Sequence, residues 1–213
     1  KKIVFPQSPG GKTPRKYSPQ YEAWSKLLNK SPEEIKTVID TIGMNEYLKK
    51  FPDPEYMKRC KMDELLKSTD IQLIKNADMF IQFITDNDIN HAVVTHTDRE
   101  IVDHFRTEVP ILNQLNNWVV REDYDKPKPD PECYDLALNL YGRNDKNIIG
   151  FENSPHGLKS LRSVTNRIFT ITPTTDYSKI VRKFRVNKTM HKSNLKIQSH
   201  GRVVWNTLNL LRI

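Results

Sequence analysis

From His91 onward, short apolar runs and helix-like stretches alternate, and this alternation constrains the chain more than any other feature. His91–Thr95 (HAVVT), Trp118–Val120, Asn147–Phe151 (NIIGF) and Arg167–Thr172 (RIFTIT) read as strands. Asp98–Phe105, Pro131–Tyr141, Leu158–Val164 and the basic stretch Ser178–Val186 read as helices. Strands that are apolar on both faces, separated by helical crossovers, predict an α/β core with a parallel sheet. Ahead of that core, residues 19–85 read mostly as helices. Tyr21, Trp24, Leu27 and Leu28 share one helical face, and Ile71–Thr85 predicts a further helix. Ser31-Pro32-Glu33-Glu34 is a helix start, with a capping Ser, Pro at the first helical position and acids in the first turn. At the amino end, Lys1–Phe5 (KKIVF) has the pattern of a strand and runs into a Pro/Gly-rich basic loop. At the carboxyl end, Asn187–Asn194 reads as a loop and Val203–Leu211 as a last helix. The expected organisation is a first core strand and basic loop (1–17), a helical cap with its linker (18–85) and an α/β core with a basic C-terminal portion (86–213).

The 213 residues can bury a sizeable core, and a mean hydropathy of −0.67 describes a polar chain. No apolar run approaches the roughly 18–20 residues of a membrane helix. Two cysteines, Cys60 and Cys133, cannot build a disulfide framework or a four-ligand zinc site by themselves; unpaired thiols suit a reducing compartment. The net charge of +8 is unevenly placed. Residues 1–17 carry five Lys/Arg and no acid, residues 159–213 carry twelve and one acid, and the stretch between them is net −8. Basic ends on an acidic body predict an anionic partner, with an ordinary solvated surface as the simpler reading.

Three segments carry chemistry. They are Ala92-Val93-Val94-Thr95-His96-Thr97-Asp98, Lys126-Pro127-Lys128-Pro129-Asp130-Pro131, and Ile149-Gly150-Phe151-Glu152-Asn153-Ser154-Pro155-His156-Gly157-Leu158. In order and spacing they resemble the haloacid dehalogenase (HAD) superfamily, in its phosphoglucomutase-like and phosphatase branch. The resemblance implies a HAD-like, Rossmann-like parallel-sheet core with a small helical cap. It also implies a chemistry: a strand-end Asp attacks a phosphoryl group, a second Asp two residues on acts as acid/base, and Mg²⁺ held by carboxylates neutralises the phosphate. Carried over, Thr95 is the phosphate-binding hydroxyl and Lys126 the lysine, expected to pair with Glu152. Glu152 and Asn153 match the metal-binding acidic pair. His96 and His156 have no convincing third ligand beside them.

The departures from that pattern decide the expected function. Pro6 stands where the nucleophilic Asp belongs, Ser8 where the acid/base Asp belongs, and Asn153 replaces the second acid of the last motif. Asp86-Asn87-Asp88 and Asp123-Tyr124-Asp125 are spaced like the missing pair but read as turns. The expectation is a pseudoenzyme with no catalytic residue and no cofactor or metal, serving as a basic structural or interaction subunit of a larger assembly. The alternative is a Mg-dependent phosphatase acting on a small phosphorylated metabolite. Arg182, Lys183, Arg185, Lys188 and Lys192 are the expected partner-binding residues, toward protein subunits, RNA phosphates or anionic lipid headgroups. Tyr177 or Phe184 could stack on a base, or Ile180, Val181 and Phe184 could pack inward. Lys at position 1 instead of Met and a pI of about 9.4 lead to the expectation of a processed mitochondrial protein, in a ribosome or respiratory-chain complex, with a cytoplasmic location as the alternative.

Overall fold

A computed structural model describes residues 19–69, 71–141, 148–190, 202–205 and 211–212. Four helices come first: α1 (Pro19–Leu28), α2 (Pro32–Ile42), α3 (Met44–Leu48) and α4 (Pro54–Leu66). The α2 start forms as its sequence dictates. Ser31 Oγ accepts the Glu34 amide and the Glu34 carboxylate accepts the Ser31 amide, so two orphan donors are satisfied reciprocally. Trp24, Ile35, Ile39, Tyr47, Leu48 and Met57 form a core of their own among these helices. The Trp24 indole donates to the Met57 carbonyl at 3.1 Å, so its polar edge is satisfied where its rings are buried.

A short strand β1 (Gln72–Leu73) precedes α5 (Ala77–Asp86). Then follow β2 (His91–Val94), α6 (Arg99–Glu108), β3 (Trp118–Val119), α7 (Glu132–Tyr141), β4 (Ile148–Glu152), α8 (Pro155–Leu161), β5 (Ile168–Thr170), α9 (Tyr177–Met190), β6 (Arg202–Trp205) and β7 (Leu211–Arg212). Five strands make one sheet in the order β3-β2-β6-β4-β5, every neighbouring pair parallel. Val93, Ile149 and Ile168 thus lie in one sheet, as the alternation predicts. A separate antiparallel pair joins β1 to β7.

One expectation is corrected here. Within the stretch expected as cap and linker (18–85), Phe80, Ile81 and Ile84 of α5 are buried in the core cluster that also holds Val93, Phe151, Tyr177 and Val181. The helix expected over Val203–Leu211 is corrected at its described start, Val203–Trp205. Arg202–Trp205 is instead the central strand, paired through Val204 with Ala92 on one side and Gly150 on the other. A run of three apolar residues, Val203–Trp205, fits either period, and the ladders of β2 and β4 on either side decide it. Lys1–Phe5, expected as the first strand, lies outside the described residues.

Candidate functional site

In a parallel sheet the carboxyl ends of the strands all lie on one edge, where ligands are bound in open α/β sheets. Here the carboxyl ends of β2 and β4 bring Thr95 and Glu152 to that edge. Glu152 is fully buried, and each of its oxygens is bonded. Oε2 accepts the Tyr134 hydroxyl at 2.7 Å and the Lys128 ammonium at 3.0 Å. Oε1 accepts the amides of Asn153 (2.9 Å) and Ser154 (3.1 Å) and the Ser154 hydroxyl (3.2 Å). Burial by itself raises a carboxyl's pKa, but Lys128, the Tyr134 hydroxyl and the Asn153 amide outweigh it. Glu152 is therefore held ionised, below the ordinary carboxylate range. Burial, reinforced by the carboxylate, pushes the Tyr134 phenol well up, so it serves as a donor.

The local sequence explains the cradle. Ser154 caps α8, accepting the Gly157 amide at 3.0 Å, and this turns the chain back over Glu152. A Cβ at position 157 would stand 2.2 Å from the Glu152 carboxyl carbon, so only glycine lets the helix start so close. A Cβ at position 150 would stand 2.4 Å from the Leu161 side chain. Both glycines thus sit at close approaches.

The lysine assignment is corrected. Lys126 is exposed and spends its backbone amide on the Glu132 carboxylate, while Lys128 reaches Glu152, the Tyr134 hydroxyl and the Val94 carbonyl. The Lys128 ammonium also sits 4.7 Å from the centre of the Tyr134 ring. Lys126-Pro127 and Lys128-Pro129 are a tandem repeat, and only the second pair stands directly before α7. That proximity was the available signal. Thr95 is fully buried; its hydroxyl donates to Thr97 Oγ1 at 2.8 Å and accepts the Thr97 amide at 3.1 Å, closing the turn into α6. Tyr124 and Tyr134 carried no signal in the sequence. Tyr124 donates to the Thr95 carbonyl at 3.2 Å and meets His96 Nδ1 at 2.9 Å, binding the β2 end to the loop after β3.

Around this edge the charges are mostly cationic. Burial first, then Arg121, Lys128 and Lys61, press the His96 pKa down to about 3, so this ring is neutral. Lys61 comes from cap helix α4 and pairs with Asp98, at the start of α6, at 3.4 Å. His156 lies against Gly43 of the cap, so the two histidines are not brought together as ligands. A magnesium ion requires oxygen ligands carrying negative charge. The Glu152 oxygens are committed to five donors, Lys128 cancels their charge, and Asn153 is exposed and adds none. Among the described residues no group of three His, Cys, Asp or Glu could hold a metal. These residues do not fit the ion.

Pro6, Ser8 and Lys192 lie outside the described residues. Arg182 and Lys183 are exposed on α9, and Arg185 and Lys188 follow on the same helix. The Lys183 ammonium stands 5.7 Å from the Phe169 ring centre. The idea that Tyr177 or Phe184 stacks on a base is corrected. Tyr177 is fully buried, and Phe184 packs beside Phe83, with centroids 6.1 Å apart. Ile180 and Val181 are buried with them, so the apolar side of α9 faces the core.

A family model for haloacid dehalogenase-like hydrolases matches residues 15–171. No curated protein matches the sequence significantly. Among solved structures the chain is similar to a protein assigned as a β-phosphoglucomutase from Thermotoga maritima, at 16% identity and a TM-score of 0.52, covering 88% of this chain and 86% of that one. It is also similar to a HAD hydrolase of family IA, variant 3, from Entamoeba histolytica, at 18% identity and a TM-score of 0.51, covering 86% of this chain and 71% of that one. At these identities the likeness concerns the fold.

Proposed function

The chain belongs to the haloacid dehalogenase-like hydrolases, and from that premise we propose that it is a catalytically inactive member serving as a structural or interaction subunit of a larger assembly. The observation that carries the reading is the state of Glu152, the acid that the last motif retains. It is neutralised by Lys128 and bonded on both oxygens, so it acts as an internal brace between β4, α7 and α8. The sequence supports the same reading, because Pro6, Ser8 and Asn153 stand where the family's chemistry needs carboxylates. A fold by itself assigns no activity. The basic C-terminal portion supplies the contact surface, with Arg182 and Lys183 exposed on a helix whose apolar side is already used. RNA phosphates, lipid headgroups and acidic subunits would each answer such cations. A mitochondrial site of action belongs to the same proposal.

A second reading keeps one observation in its favour. Lys128 and Thr95 converge on the edge where a phosphate would sit, which is the arrangement a Mg-dependent phosphatase would retain. The subunit reading is tested by changing Arg182, Lys183, Arg185 and Lys188 to Glu in the full chain and following sedimentation of cell extracts. The expected result is wild-type protein in a large particle and a variant that is released but folded. A wild-type protein that sediments as a free monomer would overturn it.

A further inference from the structure

The five-stranded sheet ends in two edge strands, β3 and β5. An edge strand presents a row of backbone donors and acceptors with no ladder to meet, and folded proteins usually cover or blunt it. In a parallel ladder, alternate residues turn their amide and carbonyl to the same side. On β3, the carbonyls of Asn117 and Val119 accept from β2 and its extension, so Trp118 between them faces outward. The outward Trp118 carbonyl accepts the Tyr141 hydroxyl at 3.3 Å, so the chain itself covers that group.

The β5 edge is treated differently. The Arg167 carbonyl accepts the Gly150 amide, and the Ile171 amide donates to the Glu152 carbonyl, each at 2.9 Å. Arg167 and Ile171 therefore face β4, as does Phe169 midway, while Ile168 and Thr170 turn their amides and carbonyls away from the sheet. Among the described residues nothing bonds to those four groups. The strand is nonetheless held extended from both faces. Ile168 packs with the cluster of Leu161 on one side, and Phe169 stacks on Phe151 at 5.1 Å on the other. The open edge is thus preformed.

Charge says what fits there. Residues 153–175 carry three cations, Lys159, Arg162 and Arg167, and no acid, and all three are exposed. Lys183 of α9 stands beside the Phe169 ring, on the face that Arg167 shares with Phe169. The next acid along the chain, Asp176, is committed to Asn76, Ser178 and Lys75. An occupant must therefore carry negative charge and also supply donors and acceptors in alternation. A peptide backbone supplies the alternation and acidic side chains the charge. RNA phosphates offer acceptors only and would leave the Ile168 and Thr170 carbonyls unanswered. A second copy of this edge would set Arg167 and Lys183 against like charges.

We propose that the open edge of β5 takes an acidic, extended segment of a partner protein as an added strand. Its backbone pairs with Ile168 and Thr170, and its carboxylates meet Arg167 and Lys183. This rests on the interaction-subunit reading above and gives it a partner class and a place.

The experiment follows amide exchange of Ile168 and Thr170 in the full-length protein. The probes are an end-blocked peptide alternating Glu and Val, the same peptide with Lys for Glu, the Glu–Val peptide N-methylated throughout, and oligouridylate. Both amides are expected to exchange freely in the protein alone and to slow only with the unmethylated Glu–Val peptide. Thr170→Pro removes an outward donor and leaves the β4 ladder whole. It should keep the urea transition and lose the protection of Ile168 by peptide. Arg167→Glu with Lys183→Glu should weaken peptide binding roughly tenfold. Amides already protected without peptide, or equal binding of the N-methylated peptide or of oligouridylate, would overturn the proposal. Sedimentation separates it from the reading beneath it. A particle that retains Thr170→Pro as it retains wild type overturns the β5 site alone, whereas peptide uptake by a protein that sediments as a free monomer supports the site and overturns the subunit role.

Discussion

The carboxyl edge of the sheet and the four-helix cap are both well buried, but different forces hold them. At the edge, one carboxylate organises two helices and two strands through five donors and an ion pair. In the cap, Trp24, Tyr47 and Phe51 form a run of rings with centroids 6.0 and 5.2 Å apart, packed on Ile35, Ile39 and Met57. A polar brace is stable only when complete, because removing one partner strands a buried charge. An aromatic cluster loses stability in proportion to the surface removed. The edge is therefore brittle and pH-sensitive, while the cap is graded and indifferent to pH.

The largest expected effect follows from breaking the brace. Glu152→Gln keeps the shape but leaves the Lys128 ammonium buried without a counter-charge, so a loss of about 3–5 kcal/mol is expected in urea unfolding at pH 7. The double change Glu152→Gln, Lys128→Met should recover much of that loss; no recovery would mean that the two residues act separately. Trp24→Ala should cost a comparable amount, about 3–5 kcal/mol, but with the same cost at pH 7 as below pH 4.5, where the Glu152 contribution is being lost. If the Trp24→Ala loss tracks pH as the Glu152→Gln loss does, the contrast between the two regions is wrong.

A smaller effect is expected from Gly157→Ala, whose Cβ would meet the Glu152 carboxyl. A loss of about 1–3 kcal/mol is expected, as for overpacking of a core, and it should shrink when Glu152 is already Ala. Next comes acid sensitivity. The His96 pKa is depressed from 6.5 to about 3, so the unfolded chain takes up a proton that the folded one refuses. Its stabilising contribution is complete above the unfolded value near 6.5 and is lost as pH falls toward 3. Glu152, also depressed, adds a second loss below its ordinary 4.5. His96→Gln should flatten the slope between pH 6.5 and 5 and leave the decline below 4.5; a slope unchanged by the substitution would rule out this origin. The smallest effect belongs to the cap surface, where Lys36→Ala breaks an exposed pair with Asp40 and should cost no more than about 0.5 kcal/mol.

Much of this contrast was legible in the sequence, for identifiable reasons. The strands at 91–94, 118–119, 148–152 and 168–170 announce themselves because each is an apolar run bounded by turns. Thr95 and Glu152 follow from motif order. What was not legible depends on tertiary partners. Val203–Trp205 fits a helical or an extended period equally, and the ladders of β2 and β4, over 50 residues away in sequence, make it a strand. Lys126 and Lys128 share one local pattern, and only the aim of α7 brings the second to Glu152. Tyr124 and Tyr134 look like ordinary core aromatics until their hydroxyls are seen to find a carbonyl and a carboxylate.

The central claim is that the Glu152–Lys128 pair is a brace in a fold without catalysis. It is tested most directly by hydrolysis of a generic phosphate monoester by the full-length protein with Mg²⁺, alongside Thr95→Ala and Lys128→Ala variants shown to be folded. The account predicts a rate at the buffer background for all three proteins. Turnover by the wild type that disappears in Thr95→Ala or Lys128→Ala would contradict it.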